Sequence, residues 1–176
     1  MSVYNENDYN SNDGMLTSIW GPPMWHVMHT ISFNYPVNPS NEDKKYYRNF
    51  ILNLKNVLPC GHCRKNLKKN FKTLPLTMKH MASRKTFSKY VFDLHNLVNK
   101  MLGKSTNLTY CEIRERYEHF RSRCVKNDEV TKIKELGCVK PLYGNKAKCV
   151  LEIVPQTKKC KSLKIHASTR KRRKKR

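Results

Sequence analysis

The sequence predicts an all-α fold, a four-helix bundle followed by a short fifth helix. Between residues 18 and 124, apolar residues recur at intervals of three and four, which is the spacing of one buried helix face. Capping residues and prolines separate these periodic segments, as they separate successive helices. No segment alternates apolar and polar residues convincingly before residues 149–156, which could form a short strand. These observations together favour a small helical bundle.

The first helix is predicted from the segment WGPPMWHVMHTISFNYP, residues 20–36. Pro22 and Pro23 suit a first helical turn, where a missing backbone N–H costs little. Pro36 marks the end, because the residue before a proline disfavours the helical conformation. One stripe at helical spacing is expected to face the core: Trp25, Met28, His29 and Phe33.

The second and third helices meet at a proline. Ser40 and the acidic residues after it form a typical helix start, and an apolar face then runs to Leu58. Pro59 ends this helix. The third helix is predicted over residues 60–71, with Leu67 and Phe71 inward. Its outward face is basic: Arg64, Lys65, Lys68 and Lys69.

The fourth helix is predicted to begin at Ser83 and to stop at Gly103, a residue well suited to a helix C-terminus. Its buried face includes Phe87, Tyr90, Val91, Leu94, His95, Val98 and Leu102. A fifth helix is predicted from Tyr110 to about Arg123. We therefore expect one helical domain over residues 18–124.

Segments of different composition flank this domain. Residues 1–17 form a polar leader that we expect to be disordered and that resembles neither a signal peptide nor a transit peptide. The chain has no apolar run of about 18 residues, which excludes a transmembrane helix, and no membrane partner is expected. We therefore expect the protein to stay on the nucleocytoplasmic side of the cell.

The C-terminal extension, residues 125–176, is strongly basic. It holds 17 Lys and Arg against 4 Asp and Glu, so it carries +13 of the chain's formal charge of +23. Its last residues, TRKRRKKR, are expected to be disordered. Such a tail attracts nucleic acid without sequence preference and can act as a nuclear-import signal, or it can simply be solvated.

The segment LPCGHCRKNL places two thiols, Cys60 and Cys63, at the start of the third helix. A zinc site needs four ligands, and the sequence has no second Cys-x-x-Cys or Cys-x-x-His pair, so we expect no metal. A helix N-terminus with basic neighbours instead stabilises a thiolate, which favours thiol–disulfide exchange. Two thiols cannot reduce oxygen at a useful rate without a cofactor.

Two predicted helices carry polar side chains on faces that we expect to be buried. His95 and Asn99 share one side of the fourth helix beside Asn96, and His29 lies in the aromatic stripe of the first helix. Buried polar groups need polar partners. Taken singly, each is typical of a satisfied core residue. Together with the dithiol they indicate a pocket for a flat ring system that forms hydrogen bonds.

The ordered motifs WGPPMWHVMHTISFNYP, LPCGHCRKNL and HNLVNKMLGK resemble the Erv/ALR family of FAD-linked sulfhydryl oxidases over about residues 18–124. The members from large nucleocytoplasmic DNA viruses are the most similar in appearance. The resemblance implies FAD as cofactor, thiol-containing substrate proteins, O₂ as electron acceptor, H₂O₂ as product and a homodimer. It also implies a location in the host cytoplasm or viral factory, in the virion, or through the tail in the nucleus.

The resemblance further implies roles for individual residues. Cys63 would be the thiol next to the flavin, and Cys60 the exposed thiol that meets substrate. Tyr117 would cover the adenine end of the cofactor. The other expected cofactor contacts come from the first and fourth helices: Gly21, Trp25, His29 and Phe33, then His95, Asn96, Asn99 and Lys104.

The sequence departs from the family at its other cysteines. Phe92 stands where many cellular relatives have a cysteine, so Cys111 lacks the expected partner. For the tail thiols Cys138, Cys149 and Cys160 we favour unpaired or zinc-like states over an electron shuttle. The competing function is a basic nucleic-acid-binding module with structural or zinc-bound cysteines, which would explain the charge but not the His, Asn and aromatic set.

Overall fold

The computed structural model describes residues 5–105, 107–125, 137–161 and 163–169. The fold is mostly helical, which confirms the predicted class. The α-helices are α1 (Glu6–Tyr9), α2 (Thr17–Phe33), α3 (Asn41–Val57), α4 (Gly61–Thr73), α5 (Arg84–Met101) and α6 (Tyr110–Glu118). Short 3₁₀ helices cover Met78–Met81 and Ala167–Thr169. None of the helices in the described ranges has the length and apolar composition needed to span a bilayer.

The chain divides into two compact units, Met1–Asn107 and Leu108–Arg176. The first contains α1 to α5, and the second contains α6 and a two-stranded sheet. The predicted fifth helix therefore belongs to the second unit. The domain limits expected from the sequence, residues 18–124, remain a prediction.

The core of the first unit lies where α2 packs on α5 and α3 packs on α4. Tyr35, Met81 and Phe87 are fully buried within it. The Tyr35 hydroxyl donates a hydrogen bond of 3.0 Å to the Met81 carbonyl, and the Tyr90 hydroxyl donates one of 2.9 Å to the Leu74 carbonyl. These bonds give each buried tyrosine a partner for its polar end.

Side-chain caps begin the helices at the predicted places. Ser40, Ser83 and Thr109 each form a capping box at the starts of α3, α5 and α6. Gly103 follows α5 with φ +65°, the left-handed conformation that suits a glycine stop. Helix α2 differs from the prediction, because it begins at Thr17 and contains Pro22 and Pro23 in its interior instead of its first turn.

The second unit contains strands that the sequence did not predict. Strand β1 (Ser122–Val125) pairs antiparallel with β2 (Gly137–Pro141), and a disulfide joins Cys124 to Cys138 with their Cα atoms 3.8 Å apart. Helix α6 therefore ends at Glu118, short of the predicted Arg123. The expectation that Cys138 is unpaired or zinc-like is wrong, because its sulfur is bonded to the sulfur of Cys124 on the facing strand.

Two more expectations need correction. Residues 149–156 form no strand, and their apolar side chains Val150, Leu151 and Ile153 are exposed. An alternating pattern forms a strand only where another strand supplies hydrogen bonds. The leader is not wholly irregular, since residues 6–9 form α1, capped by the Asn5 side chain. The expected disorder at 170–176 concerns residues outside the described ranges.

Candidate functional site

The disulfide of the site lies at the start of α4. Cys60 is the N-cap residue, and its sulfur accepts a hydrogen bond of 3.1 Å from the Cys63 backbone N–H. The two cysteines are bonded to each other, with Cα atoms 5.2 Å apart. The predicted thiol pair at a helix N-terminus is therefore present.

The surroundings of this disulfide favour thiolate over thiol. The first N–H groups of α4 have no helical acceptor, so they and the helix dipole stabilise negative charge. Arg64 adds a positive charge next in sequence, and its guanidinium donates a 2.5 Å hydrogen bond to the Leu58 carbonyl. On reduction, a larger fraction of these thiols would therefore be thiolate, the form that attacks and leaves in thiol–disulfide exchange.

The two sulfurs have different neighbours. Both cysteines are half-buried. Cys63 packs against the hydrophobic core, and its sulfur lies 3.8 Å from the hydroxyl of Thr17, the first residue of α2. Gly21 follows one turn later, where an added Cβ would lie 3.7 Å from the Thr17 methyl. The start of α2 is therefore next to Cys63, a contact that no sequence motif indicated.

The end of the leader lies against Cys60. The Met15 N–H donates a 2.8 Å hydrogen bond to the Pro59 carbonyl, and the Trp20 indole N–H donates one of 2.9 Å to the Met15 carbonyl. A Cβ at Gly14 would lie 2.7 Å from the Pro59 oxygen and 3.1 Å from the Cys60 Cα. The 2.7 Å distance is too short for any residue with a side chain. The leader can approach the disulfide this closely because position 14 is a glycine.

We expect Gly14→Ala to separate the leader from Pro59, because the added methyl group cannot occupy the space now held by that carbonyl. The Met15 amide should then exchange with deuterium at least about tenfold faster, since it loses its acceptor. Hydrogen exchange followed by mass spectrometry measures this. Asp13→Ala, an exposed neighbouring position, serves as the matched control. Unchanged exchange at Met15 in Gly14→Ala would contradict the prediction.

A histidine pair forms the second part of the site. His29 Nε2 and His95 Nδ1 are 3.0 Å apart, within hydrogen-bond distance, and join α2 to α5. Trp25 stacks on His95 with ring centroids 4.0 Å apart and planes 6° from parallel. Phe33 lies beyond His29, with its centroid 6.2 Å from the imidazole. The two predicted faces therefore meet as one cluster of flat rings, in which Trp25 and His95 are stacked and His29 is tilted by 40° to His95.

Both imidazoles are neutral at physiological pH. Burial lowers the pKa of His29 to about 3, with smaller contributions from the neighbouring His95 and His26. Burial also lowers the pKa of His95 to about 4, and the positive charge of Lys104 adds to this effect. A neutral imidazole pair offers both a donor and an acceptor, which two imidazolium rings could not.

The remaining predicted residues lie in different places. Asn96 and Asn99 are half-buried on α5, and Lys104 is exposed just beyond it. The backbone N–H of Lys104 donates a 2.9 Å hydrogen bond to the Asn99 carbonyl. Tyr117 belongs to the second unit, where it is buried against Phe120 and burial raises its pKa. The contact of each with a cofactor stays a prediction.

The site combines an exchangeable disulfide with an aromatic, neutral and hydrogen-bonding surface. Over the ranges that the structure describes, no group of three or more His, Cys, Asp or Glu side chains is arranged to hold a metal ion. Cys111, Cys149 and Cys160 are exposed free thiols there. The redox chemistry of the first unit therefore centres on Cys60 and Cys63.

A Cys-x-x-Cys disulfide that caps a helix of an all-α bundle places the chain among helical thiol–disulfide redox proteins. The family model described as the Erv1 / Alr family matches residues 22–134, which is more than half of the sequence. The chain belongs to the Erv1/Alr family. This confirms the family that the three motifs predicted.

Known proteins similar to this chain include viral relatives. A probable FAD-linked sulfhydryl oxidase of Acanthamoeba polyphaga mimivirus is 40% identical over 99 residues, which cover 56% of this chain and 68% of the relative. An FAD-linked sulfhydryl oxidase of African swine fever virus is 30% identical over 99 residues, 56% of this chain and 80% of the relative. The crystal structure of the yeast Erv1 core has a similar fold, with a TM-score of 0.53 and 21% identity over 66% of this chain and 92% of that one.

Proposed function

We propose that this chain is an FAD-dependent thiol oxidase, which converts thiol pairs of substrate proteins to disulfides and passes the electrons to O₂, giving H₂O₂. The observation that carries the proposal is the Cys60–Cys63 disulfide at the N-terminus of α4, with its inner sulfur beside the start of α2. The names of the viral relatives support both the activity and the cofactor.

The side chains present fit FAD by their chemistry. A flat ring system needs flat neighbours and hydrogen-bonding groups, which Trp25, His95 and His29 offer as a neutral ring cluster. An anionic pyrophosphate needs a cation, and Lys104 is close enough to His95 to lower the pKa of that ring. The residues of the first unit that would hold FAD are Gly21, Trp25, His29, Phe33, His95, Asn96, Asn99 and Lys104. For Tyr117 a cofactor contact stays an expectation from the family resemblance.

The first half of the reaction takes place at the disulfide. A substrate thiolate attacks the Cys60 sulfur, the Cys60–Cys63 bond breaks, and Cys63 leaves as a thiolate that the α4 N-terminus stabilises. A second substrate thiolate then attacks the substrate sulfur of the mixed disulfide and releases Cys60. The substrate has lost two electrons and two protons, and Cys60 and Cys63 have gained the two electrons.

In the second half the disulfide is restored. When bound, FAD supplies the two-electron acceptor and the route from this dithiol to O₂. Cys63 packs against the core and Thr17, so its thiolate is held on the inner side of the site. Because burial keeps both histidines neutral, the ring cluster that we place against FAD carries no positive charge of its own.

The direct test is to purify the full chain and measure bound flavin and thiol oxidation together. We expect flavin absorbance near ~450 nm and one H₂O₂ for each disulfide formed when dithiothreitol is supplied in air, because FAD is the electron-transfer group. Purified chain that neither retains added FAD nor oxidises dithiothreitol would contradict the proposal and favour the nucleic-acid-binding alternative.

Gly21→Ala should separate cofactor contact from stability. Among the residues that the structure describes, the added methyl group meets only the Thr17 side chain, at an ordinary 3.7 Å. Alanine also favours a helix interior by about 1 kcal/mol over glycine. The flavin-free chain should therefore unfold at an equal or higher urea concentration. If Gly21 lies against FAD, overpacking should weaken FAD binding about tenfold or more.

Titration of flavin fluorescence and urea unfolding measure the two effects of Gly21→Ala. Val27→Ala, an exposed position on the same helix, is the matched control and should leave FAD affinity unchanged. Unchanged FAD affinity in Gly21→Ala would remove Gly21 from the cofactor site.

Several expectations around this function remain proposals. We propose a homodimer from the family resemblance, and a location in the host cytoplasm or viral factory from the viral origin of the similar oxidases. The virion and, through the tail, the nucleus are further possible locations. Non-specific nucleic-acid contact rests on the charge of residues 125–176 alone.

A further inference from the structure

The hydroxyl of Thr17 lies against the Cys60–Cys63 disulfide. Thr17 is the first residue of α2, a helix whose start has no side-chain cap. The hydroxyl oxygen is 3.8 Å from the Cys63 sulfur, within the range of a hydrogen bond to this large atom. In the parts of the chain that the structure describes, the Cys63 sulfur is the only hydrogen-bond partner of this hydroxyl. Thr17 therefore offers its O–H to Cys63.

Two hydrogen bonds hold Thr17 in this place. Before it in the chain, the Met15 N–H donates a 2.8 Å bond to the carbonyl of Pro59, the residue that precedes Cys60. After it, the Trp20 indole N–H donates a 2.9 Å bond to the Met15 carbonyl, and Trp20 packs against the core. Because Thr17 lies between these two anchors, little further ordering is needed to keep its hydroxyl at the disulfide.

The two sulfurs of the disulfide have different hydrogen-bond donors. The Cys60 sulfur accepts a 3.1 Å bond from the backbone N–H of Cys63. Among the residues that the structure describes, the only donor to the Cys63 sulfur is Thr17. Without Thr17, hydrogen bonding would stabilise negative charge on Cys60 more than on Cys63. Attack would then be favoured at Cys63, the sulfur that packs against the core.

We propose that Thr17 is a further catalytic residue, whose hydroxyl donates a hydrogen bond to the Cys63 sulfur while the disulfide opens. This inference rests on the proposed oxidase function. The substrate thiolate forms a bond to the Cys60 sulfur, and the electron pair of the Cys60–Cys63 bond moves to the Cys63 sulfur. The Thr17 hydroxyl keeps its proton throughout. Its contact with one sulfur only directs the attack to the other, Cys60.

The hydrogen bond from Thr17 becomes stronger as the disulfide opens. A sulfur in a disulfide is a weak acceptor, whereas a thiolate carries a full negative charge and is a strong one. An interaction that is stronger in the transition state than in the ground state lowers the barrier. The same bond makes the leaving thiolate less basic, and a less basic thiolate leaves faster. Thr17 should therefore speed the opening of the disulfide.

The first measurement is the pH dependence of alkylation at Cys63. In the full chain with Cys60→Ser, iodoacetamide modifies the Cys63 thiolate, and mass spectrometry of the Cys63 peptide separates this reaction from those of the other cysteines. Thr17→Val keeps the branched shape and removes the hydroxyl. It should raise the midpoint of alkylation by about one pH unit, the lower end for a hydrogen bond to a charged group, since Thr17 is exposed. Thr17→Ser keeps the hydroxyl and should keep the midpoint.

The second measurement is kcat/KM for dithiothreitol, in the FAD-loaded full chain with both cysteines present. Thr17→Val should lower kcat/KM about threefold, because the logarithm of an exchange rate changes by about half of the change in thiol basicity. Thr17→Ser should restore it. The matched control is Thr73→Val at the end of α4, where an exposed hydroxyl donates a 3.4 Å bond to the Lys69 carbonyl. This control should change neither measurement.

A Thr17→Val chain with the alkylation midpoint of the natural residue would overturn the role of the hydroxyl, and an unchanged kcat/KM would overturn its catalytic part. So would an equal shift in Thr17→Ser, because the start of α2 rather than the hydrogen bond would then be responsible. If the natural chain oxidises no dithiothreitol, the oxidase function itself fails. The alkylation midpoints, which need no oxidase activity, then still decide whether Thr17 stabilises the Cys63 thiolate.

Discussion

Replacing either Cys60 or Cys63 by serine should reduce dithiothreitol oxidation by more than about a thousandfold, because a single thiol cannot accept the two electrons of a dithiol. The two variants should nevertheless differ in a second measurement. In Cys63→Ser the remaining Cys60 is the residue that we expect to meet substrate. In Cys60→Ser the remaining Cys63 packs against the core and Thr17.

Mixed-disulfide formation distinguishes the two roles. With an aromatic disulfide reagent, Cys60 in the Cys63→Ser chain should react about tenfold faster than Cys63 in the Cys60→Ser chain, because packing against the core and Thr17 limits access to Cys63. Both variants are best prepared without the exposed thiols Cys111, Cys149 and Cys160, which would react as well. Equal rates at the two positions would show that the roles are not divided as proposed.

The controls for this experiment lie outside the disulfide. Cys111→Ser/Cys149→Ser/Cys160→Ser alone should keep turnover of dithiothreitol, since all three thiols are exposed in the second unit. Bound flavin should remain in the Cys60→Ser chain, since we place no cofactor contact on that residue. Loss of flavin together with activity would mean that serine had disturbed the fold at α4, and the activity result would then say nothing about electron transfer.

The helices of the first unit could be predicted because their capping residues and the spacing of their apolar residues indicate the same helix limits. Ser40 and Ser83 cap helices whose apolar faces are buried, and Gly103 ends α5 in the one conformation that favours glycine. The histidines were predicted one by one from the faces they share with aromatic residues. Their contact across α2 and α5 could not be predicted, because it depends on how the two helices pack.

Other features depend on contacts between distant parts of the sequence. Strand β1 contains Arg123 and Cys124 and lacks the alternation of a half-buried strand, so only pairing with β2 makes it a strand. The Cys124–Cys138 disulfide follows from that pairing, and seven cysteines allow too many combinations to select it in advance. The close approach of Gly14 to Pro59 likewise appears only when the chain has folded.

Acid should destabilise this protein well above the pH at which carboxylates protonate. The unfolded chain binds a proton at each histidine near pH 6.5, whereas burial in the folded chain lowers the pKa of His95 to about 4 and that of His29 to about 3. Below pH 6.5 the unfolded state therefore binds more protons, so the free energy of unfolding falls as pH falls. Above about pH 7.5 both states are neutral and the pair has no effect.

The expected loss is large relative to the stability of a small domain. Between pH 7 and pH 5 the two histidines together should lower the free energy of unfolding by about 2–4 kcal/mol. Hydrogen bonds from Ser40 and Thr109 lower the pKa values of Asp43 and Glu112, and the stability that this adds is lost mainly below about pH 5, where the same carboxylates of the unfolded chain take up protons. Urea unfolding followed by circular dichroism at half-unit pH intervals measures the effect.

Removing one imidazole identifies the source of the acid sensitivity. His95→Gln should be less stable at pH 7, because Trp25 and His29 lose their ring partner, but it should lose less further stability between pH 7 and pH 5. His62→Gln, at an exposed position on α4, is the matched control and should keep the acid dependence of the natural chain. If His95→Gln loses as much stability on acidification as the natural chain, then the buried pair does not cause the effect. The same rings are those that we place against FAD, and because their pKa values in the folded chain are about 3 and about 4, the folded chain should keep its flavin between pH 7 and pH 5.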